Sequence, residues 1–204
     1  MSRLPTSAPI VALTFDAGSD AGFTTDILDT LAANGIKASF GVTGRWAEAN
    51  PGLVQRIVAE GHQVLNHTYD HASFTGRSTS TAPLSYDERV AELEGAARAI
   101  RSAAGVTAAP WFRPPYGDRD ASVDRDVARA GYPMIAMWTV DSLGWNGLPA
   151  PSIVTRCLDS AAPGTIYLFH VGSQSADAQA LPAIIDGLRG RGYSFTTLAA
   201  GVQG

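Results

Sequence analysis

Short apolar runs alternate along the chain with stretches whose apolar residues recur at helical spacing. The first run, Ile10 to Phe15, is typical of a buried β-strand. Ile27, Leu28 and Leu31 then recur on one helix face, and Gly35 is placed to end that helix. Repeated alternation of this kind predicts an α/β fold with a mostly parallel sheet.

The same pattern predicts the remaining elements. Further strands are expected at 38–42, 63–65, 111–112, 134–140, 166–169 and 193–198. Helices are expected after Asn50-Pro51, after a capping box formed by Ser85 and Glu88, over 123–130, around Cys157 and over 181–188.

Length and composition limit the class of protein. A chain of 204 residues fits one catalytic domain over 1–204 with a full hydrophobic core, and we expect 1–9 to be an N-terminal tail. The net charge of −4 gives no reason to expect a nucleic-acid partner. No apolar stretch is long enough to span a membrane, and the single cysteine, Cys157, is expected to be a core residue.

Chemically active side chains follow five of the predicted strands. They are Asp16, His67, Arg113, Asp141 and His170. In parallel β/α barrels the active site lies at the carboxyl ends of the strands. A closed or nearly closed barrel would gather these residues around one pocket, whereas an open doubly wound sheet would spread them along an edge. We therefore expect a barrel.

Three of these side chains, together with His71, could activate a water molecule for attack on an amide or ester. Asp16 could be a general base for a water made acidic by a metal ion. His67 and His71, four residues apart, could hold that ion from one face of a helical turn. The stiff Pro-Pro segment after Arg113 would hold its guanidinium against a carboxylate, for which we expect Asp16.

Two further side chains could supply a proton to the leaving group. His170 could act as the acid, and Asp141 could orient its imidazole and favour the protonated form. Trp145 is equally consistent with a pocket wall and with a core residue. No serine lies in a Gly-x-Ser-x-Gly elbow, so the sequence disfavours a serine hydrolase.

Taken together, five segments in this order resemble the polysaccharide deacetylases, which form carbohydrate esterase family 4 and contain a NodB-homology domain. The resemblance spans nearly the whole chain and rests on Thr14–Gly18, His67–His71, Arg113–Gly117, Asp141–Trp145 and Leu168–His170. It implies a distorted (β/α) barrel, often with seven strands. It also implies removal of acetyl groups from N-acetylglucosamine in chitin or peptidoglycan, or from acetylated xylan. The implied cofactor is a divalent ion, zinc first, with cobalt, nickel or manganese as alternatives.

The resemblance also implies a role for each residue, with Asp16 as the base and His170 as the acid. The backbone N–H of Tyr116 would bind the oxyanion, and Trp145 would belong to the substrate site. Leu168 would form the wall beside the acetyl methyl group.

One position departs from the family motif Thr-Phe-Asp-Asp-Gly, whose second aspartate is the third metal ligand. This chain has Ala17 there. Asp20 could swing into the vacancy, water could fill it, or the metal could be absent. We expect the first outcome, because the Gly18-Ser19 turn could redirect Asp20 toward the histidines.

We therefore expect a metal-dependent N-deacetylase of glycans that contain N-acetylglucosamine, acting as a monomer. The alternatives are a metal-independent amidohydrolase on a small nitrogen-rich compound and a glycan-binding pseudoenzyme. Residues 1–9 lack the pattern of a secretion signal. We expect a secreted or cell-surface protein whose export signal lies outside this sequence, with a cytoplasmic location left open.

Overall fold

A computed structural model describes residues 1–203, in which strands and helices alternate as the sequence predicts. The strands are β1 (Ile10–Ala17), β2 (Ser39–Val42), β3 (Gln63–Asn66), β4 (Trp111–Phe112), β5 (Met134–Ile135), β6 (Val140–Asp141), β7 (Ile166–His170) and β8 (Ser194–Thr196). The helices are α1 (Thr24–Ala33), α2 (Gly44–Ala49), α3 (Pro51–Ala59), α4 (Tyr86–Ala104), α5 (Ala121–Arg129), α6 (Ala150–Asp159), α7 (Asp177–Gly190) and α8 (Leu198–Gly201).

The strands form one parallel sheet in the order β5-β4-β3-β2-β1-β7-β6, and β8 pairs with the first residues of β1. β1 is therefore an interior strand, which pairs with β2, β7 and β8. Its residue Asp16 is in register with Gly41 of β2 on one side and with His170 of β7 on the other. This register brings the first and last of the five motifs side by side.

The sheet curls into a distorted, seven-stranded half-barrel, which confirms the predicted fold class. Its end strands β5 and β6 are joined by 136–139 and form no ladder with each other within residues 1–203. The start of the chain packs against this seam: the Met137 N–H donates to the Met1 carbonyl at 2.8 Å, and Leu4 is buried. Residues 1–4 of the expected N-terminal tail thus pack against the barrel.

Alternation along β1 separates the core from the site. Phe15 and Ala17 belong to the main apolar cluster, where Phe15 stacks on Phe40 and Phe169 at ring-centroid distances of 5.2 and 5.4 Å. Because successive side chains of a strand point to opposite faces, Asp16 points the other way, into the mouth of the barrel. The strand itself therefore separates the carboxylate from the core.

One predicted strand, 134–140, is divided in the structure into β5 and β6. The residues between them bond to three different segments, since Ala136, Met137 and Thr139 donate their N–H groups to Phe112, Met1 and Ile166. A single ladder cannot satisfy such a pattern. The predicted capping box is present at the start of α4, and no helix among the described residues is long and apolar enough to cross a membrane.

Candidate active site

A cavity of 420 Å³ opens at the carboxyl ends of the strands. Its lining draws on all five motif segments and includes Asp16, His67, His71, Pro114, Tyr116, Asp141, Trp145, Leu168 and His170. The barrel therefore brings together residues that are distant in the chain, such as Asp16 and His170, which lie 154 positions apart.

The base side of the cavity is built on an ion pair between Asp16 and Arg113. Arg113 is fully buried, and its Nη1 lies 2.8 Å from Asp16 Oδ1 and 2.9 Å from the Thr14 hydroxyl. Its Nε donates to the Ala136 carbonyl. Burial by itself would raise the pKa of Asp16, but the charge of Arg113, aided by nearby histidines, holds the pKa below its ordinary value. Asp16 is therefore ionised at neutral pH.

Two imidazoles lie next to this carboxylate. The rings of His67 and His71 meet edge to face with centroids 4.8 Å apart. His67 Nδ1 lies 2.8 Å from the Arg113 carbonyl oxygen, to which only a protonated nitrogen can donate, so its Nε2 carries the free lone pair. Nε2 lies 3.4 Å from Asp16 Oδ2. Burial lowers the pKa of His71 to about 4, with His67 adding to the effect, so this imidazole is neutral at pH 7.

The segment that carries the two histidines is not the helical turn that their spacing predicts. Thr68 and His71 adopt left-handed backbone conformations, with φ of 67° and 68°. The N–H groups of Tyr69 and Asp70 both donate to Glu92 Oε2, at 2.9 and 3.1 Å. These bonds to α4 replace the helical ones and still turn both imidazoles into the cavity.

The acid side differs from the prediction in its carboxylate. His170 ends β7, and Asp141 is not within ion-pair distance of it. Asp141 instead accepts hydrogen bonds from the Leu143 N–H at 2.9 Å and from Trp145 Nε1 at 3.2 Å. The nearest carboxylate is Asp177, whose Oδ2 lies 3.9 Å from His170 Nδ1.

The expected orientation of His170 by Asp141 is therefore wrong in this structure. The indole and the Leu143 amide occupy the Asp141 carboxylate, and the carboxylate within ion-pair distance of the ring is that of Asp177. The sequence offered one signal for Asp177, namely a carboxylate in the first turn of a helix soon after His170. That signal is too common to identify a functional residue.

Aromatic and apolar side chains form the remaining walls. Tyr116 has a φ of 59°, and its backbone N–H donates to no acceptor within residues 1–203. Its ring lies edge-on to His71 at 4.6 Å. Trp145 is 52% exposed and lines the cavity, so the core alternative for it is wrong, while Leu168 is buried at the cavity floor. Sequence reasoning missed Trp138, whose ring lies 5.8 Å from the Arg113 guanidinium.

Comparison with known proteins identifies the family. The family model described as polysaccharide deacetylase matches residues 3–135. The chain belongs to the polysaccharide deacetylase family. It is 35% identical over 196 residues to a peptidoglycan-N-acetylglucosamine deacetylase of Bacillus cereus, covering 95% of this chain and 68% of the relative. It is also 35% identical to a chitooligosaccharide deacetylase of Sinorhizobium fredii, with 96% and 93% covered.

Solved structures of this family include active enzymes and a pseudoenzyme. The Bc1960 peptidoglycan N-acetylglucosamine deacetylase, in complex with 4-naphthalen-1-yl-N-oxidanyl-benzamide, matches with a TM-score of 0.89 and 33% identity over 99% of this chain and 92% of that one. BA3943 of Bacillus anthracis, a CE4 family pseudoenzyme, matches with a TM-score of 0.88 and 27% identity over 99% and 68%. A BA3943 mutant with restored enzymatic activity is 28% identical, with 70% of it covered.

Deacetylases of this family are generally metal-dependent, and this chain offers two of the three expected ligands. The free lone pair of His67 Nε2 and the adjoining neutral imidazole of His71 fit a divalent ion. No group of three or more His, Cys, Asp or Glu side chains suited to a metal occurs within the described part of the chain.

The expected third ligand, Asp20, is therefore wrong for this structure. Its carboxylate accepts hydrogen bonds from the Ser173 N–H at 2.9 Å and the Ser173 hydroxyl at 2.5 Å. These two donors lie on the loop after β7, and they hold the Asp20 carboxylate against that loop, outside the cavity lining. Ala17 is fully buried in the apolar cluster, so the position of the family aspartate provides no ligand either.

Proposed function

We propose that this protein is an N-deacetylase of glycans that contain N-acetylglucosamine, of the peptidoglycan or chitin-oligomer type. The observation that carries the proposal is the pairing of an arginine-bound Asp16 with His170 on neighbouring strands at one cavity. The names of the relatives support the substrate class. A peptidoglycan substrate would place the protein outside the cytoplasm.

Asp16 would act as the general base. Its carboxylate is ionised, and Arg113, which is itself bonded to the Thr14 hydroxyl, holds Oδ1, so that Oδ2 faces the cavity near His67. A water molecule beside Oδ2 could pass its proton to this oxygen while attacking the acetamide carbonyl. The buried guanidinium keeps the base charged and aimed between turnovers.

Two further groups would stabilise the oxyanion and protonate the leaving nitrogen. The unpaired N–H of Tyr116 could donate to the oxyanion, as backbone amides do in other acyl-transfer sites. His170, across the cavity from Tyr116, would give its proton to the departing amine. Leu168 and the exposed ring of Trp145 would exclude water around the acetyl group.

His67 and His71 would hold the divalent ion, for which we propose zinc. When bound, the ion would supply Lewis-acid polarisation and make a nearby water more acidic. Because residues 1–203 place only these two protein ligands there, we expect a more weakly held ion than a three-ligand site would have. The aligned lone pair of His67 is what supports an ion at this place.

Acetate release from chitin oligomers and from peptidoglycan fragments tests the proposal. We expect release in the presence of zinc and loss of release after exhaustive chelation, with recovery when zinc is returned. Release that survives chelation would favour the metal-independent amidohydrolase instead. A well-folded protein that releases no acetate with any of the four ions zinc, cobalt, nickel and manganese would contradict deacetylation of these substrates.

A second candidate is a glycan-binding pseudoenzyme. Ala17, the lack of a third ligand and the likeness to BA3943 favour it. The retained ion pair of Asp16 and Arg113 and the retained His170 speak against it, because an inactive relative has no need of a buried, charged base. Binding of chitin oligomers, measured calorimetrically, without any acetate release would support this candidate.

A further inference from the structure

A buried carboxylate at the start of α7 has no place among the roles described so far. Asp177 is fully buried, and its Oδ2 accepts the backbone N–H of His170 at 2.8 Å. A buried carboxylate is costly unless charged or polar groups surround it. Its retention next to a functional histidine therefore calls for a reason beyond packing.

The His170 side chain faces the same oxygen. Its Nδ1 lies 3.9 Å from Asp177 Oδ2. Nδ1 and the other carboxylate oxygen, Oδ1, are buried atoms without a hydrogen-bond partner in the described residues. Buried polar atoms are nearly always paired. A small rotation of the ring would bring the unpaired Nδ1 within hydrogen-bond distance of Oδ2.

The surrounding loop is shaped around this carboxylate. Burial raises the pKa of Asp177, and the neighbouring Ser142 and Ser175 hydroxyls oppose part of that rise. A Cβ at Gly144 would overlap Asp177 Oδ1 and crowd the Ser175 hydroxyl. The Asp141–Trp145 motif segment thus accommodates Asp177 by having a glycine as its fourth residue.

We propose that Asp177 is the positioning residue for His170, a role that rests on the proposed function of His170 as the acid. Asp177 accepts a hydrogen bond from Nδ1–H, which fixes the tautomer and keeps the Nε2 edge of the ring toward the substrate. The other charged or titratable groups facing the ring are Asp16, His67 and His71 across the cavity. None of these three approaches Nδ1 within ion-pair distance.

Asp177→Asn tests the proposal, because the amide oxygen still accepts the His170 backbone N–H while the charge is lost. We expect kcat for acetate release to fall about 10- to 100-fold, the range for loss of a supporting carboxylate, with KM unchanged. The ¹⁵N chemical shifts of the His170 ring should also move from an Nδ1-protonated form toward the Nε2-protonated form. Asp177→Glu should recover part of both.

Two more variants keep the test decisive. Asp126→Asn removes a carboxylate that pairs with Arg89 at 2.7 Å, outside the cavity lining, and should lower stability without moving the His170 signals. If Asp177→Asn does not fold, Gly144→Ala should displace the carboxylate by steric overlap and give the same spectral change.

Unchanged His170 shifts and unchanged kcat in Asp177→Asn would overturn the proposal. The same changes arising from Asp126→Asn would also overturn it, because they would then reflect a general loss of stability. If the wild type releases no acetate, the proposed function fails, and the ring shifts alone still decide whether Asp177 positions His170.

Discussion

The two sides of the cavity are built in different ways. On the base side, Asp16 lies in a sheet strand and Arg113 directly follows one, and the guanidinium bonds to Asp16 Oδ1, the Thr14 hydroxyl and the Ala136 carbonyl. On the acid side, His170 depends on a loop and a helix start, and two buried atoms lack hydrogen bonds. The sheet and its flanking arginine thus fix the base, whereas the ring of the acid depends on the loop over 144–146 and the start of α7 for its orientation.

On both sides, a glycine makes room for a carboxylate. Asp16 lies against Gly41, where a Cβ would come within 2.5 Å of Oδ1, and Asp177 lies against Gly144 in the same manner. Each glycine makes room for a carboxylate that supports catalysis. Gly41 is fixed by strand register, whereas Gly144 lies in a turn, so we expect substitutions to affect the base side through charge and the acid side through geometry.

Loss of the base should have the largest effect. Asp16→Asn removes the proton acceptor, and we expect acetate release to fall by about 10² to 10⁴-fold. The buried guanidinium of Arg113 would lose its counter-charge, so thermal unfolding should report a loss of up to about 3–5 kcal/mol. Full turnover in a folded Asp16→Asn protein would remove Asp16 from the role of base.

Removal of the cation should have the next largest effect and should change the pH profile. In Arg113→Met, the pKa of Asp16 should rise, because burial then acts without the opposing charge. The acid limb of kcat/KM should therefore move to higher pH. Arg113→Lys, which keeps the charge but not the paired geometry, should shift the limb less. An unmoved limb in Arg113→Met would show that the guanidinium does not tune the base.

The ion pair between Asp16 and Arg113 should also make the folding stability depend on pH. The pKa of Asp16 is lower in the folded state than its ordinary value of 3.8. The ion pair therefore stabilises the folded protein fully at pH values above 3.8. That stability should be lost as the pH falls through the folded pKa, and Arg113→Met should lack this component. Urea unfolding between pH 3 and pH 7 would measure it, and identical pH dependence in both proteins would contradict it.

The sequence predicted the sheet side of the molecule well. Strand ends are marked by apolar runs that stop at a polar residue, which places Asp16, Arg113 and His170 with little ambiguity. The Thr-Phe-Asp motif and the Pro-Pro segment add local stiffness that motif comparison can recognise. The position of each of these residues follows from the point where its apolar run stops, which is a local property of the sequence.

The loop side could not be predicted in the same way. Asp141 and Asp177 are both carboxylates near His170, and which one faces Nδ1 depends on the turn over 144–146 and on the start of α7. Asp20 was misplaced for a similar reason, since Ser173 lies 153 residues away in sequence. Loop conformation decides both outcomes, and spacing along the chain carries no information about it.

Loss of the His71 imidazole should weaken zinc binding more than it lowers the stability of the fold. His71→Asn removes one of the two proposed ligands, and we expect zinc to give no rise in the melting temperature of this variant, in contrast to the wild type. His62→Asn is a matched control, because His62 is buried outside the cavity and its Nδ1 accepts the Ala38 N–H. An equal zinc effect in wild type and His71→Asn would place the ion elsewhere.

The smallest effect should come from Asp141, which the family resemblance names as the partner of His170. Asp141→Asn keeps an acceptor for the Leu143 N–H and weakens the bond from Trp145 Nε1. Because this indole is half exposed, we expect a rise in KM of a few-fold and a kcat reduced less than in Asp177→Asn. Trp145→Phe, which removes the indole donor and leaves Asp141 intact, should match that rise. A kcat loss in Asp141→Asn as large as in Asp177→Asn would instead mean that Asp141 reaches His170 during turnover, and the contrast between a sheet-held base and a helix-held acid would then fail.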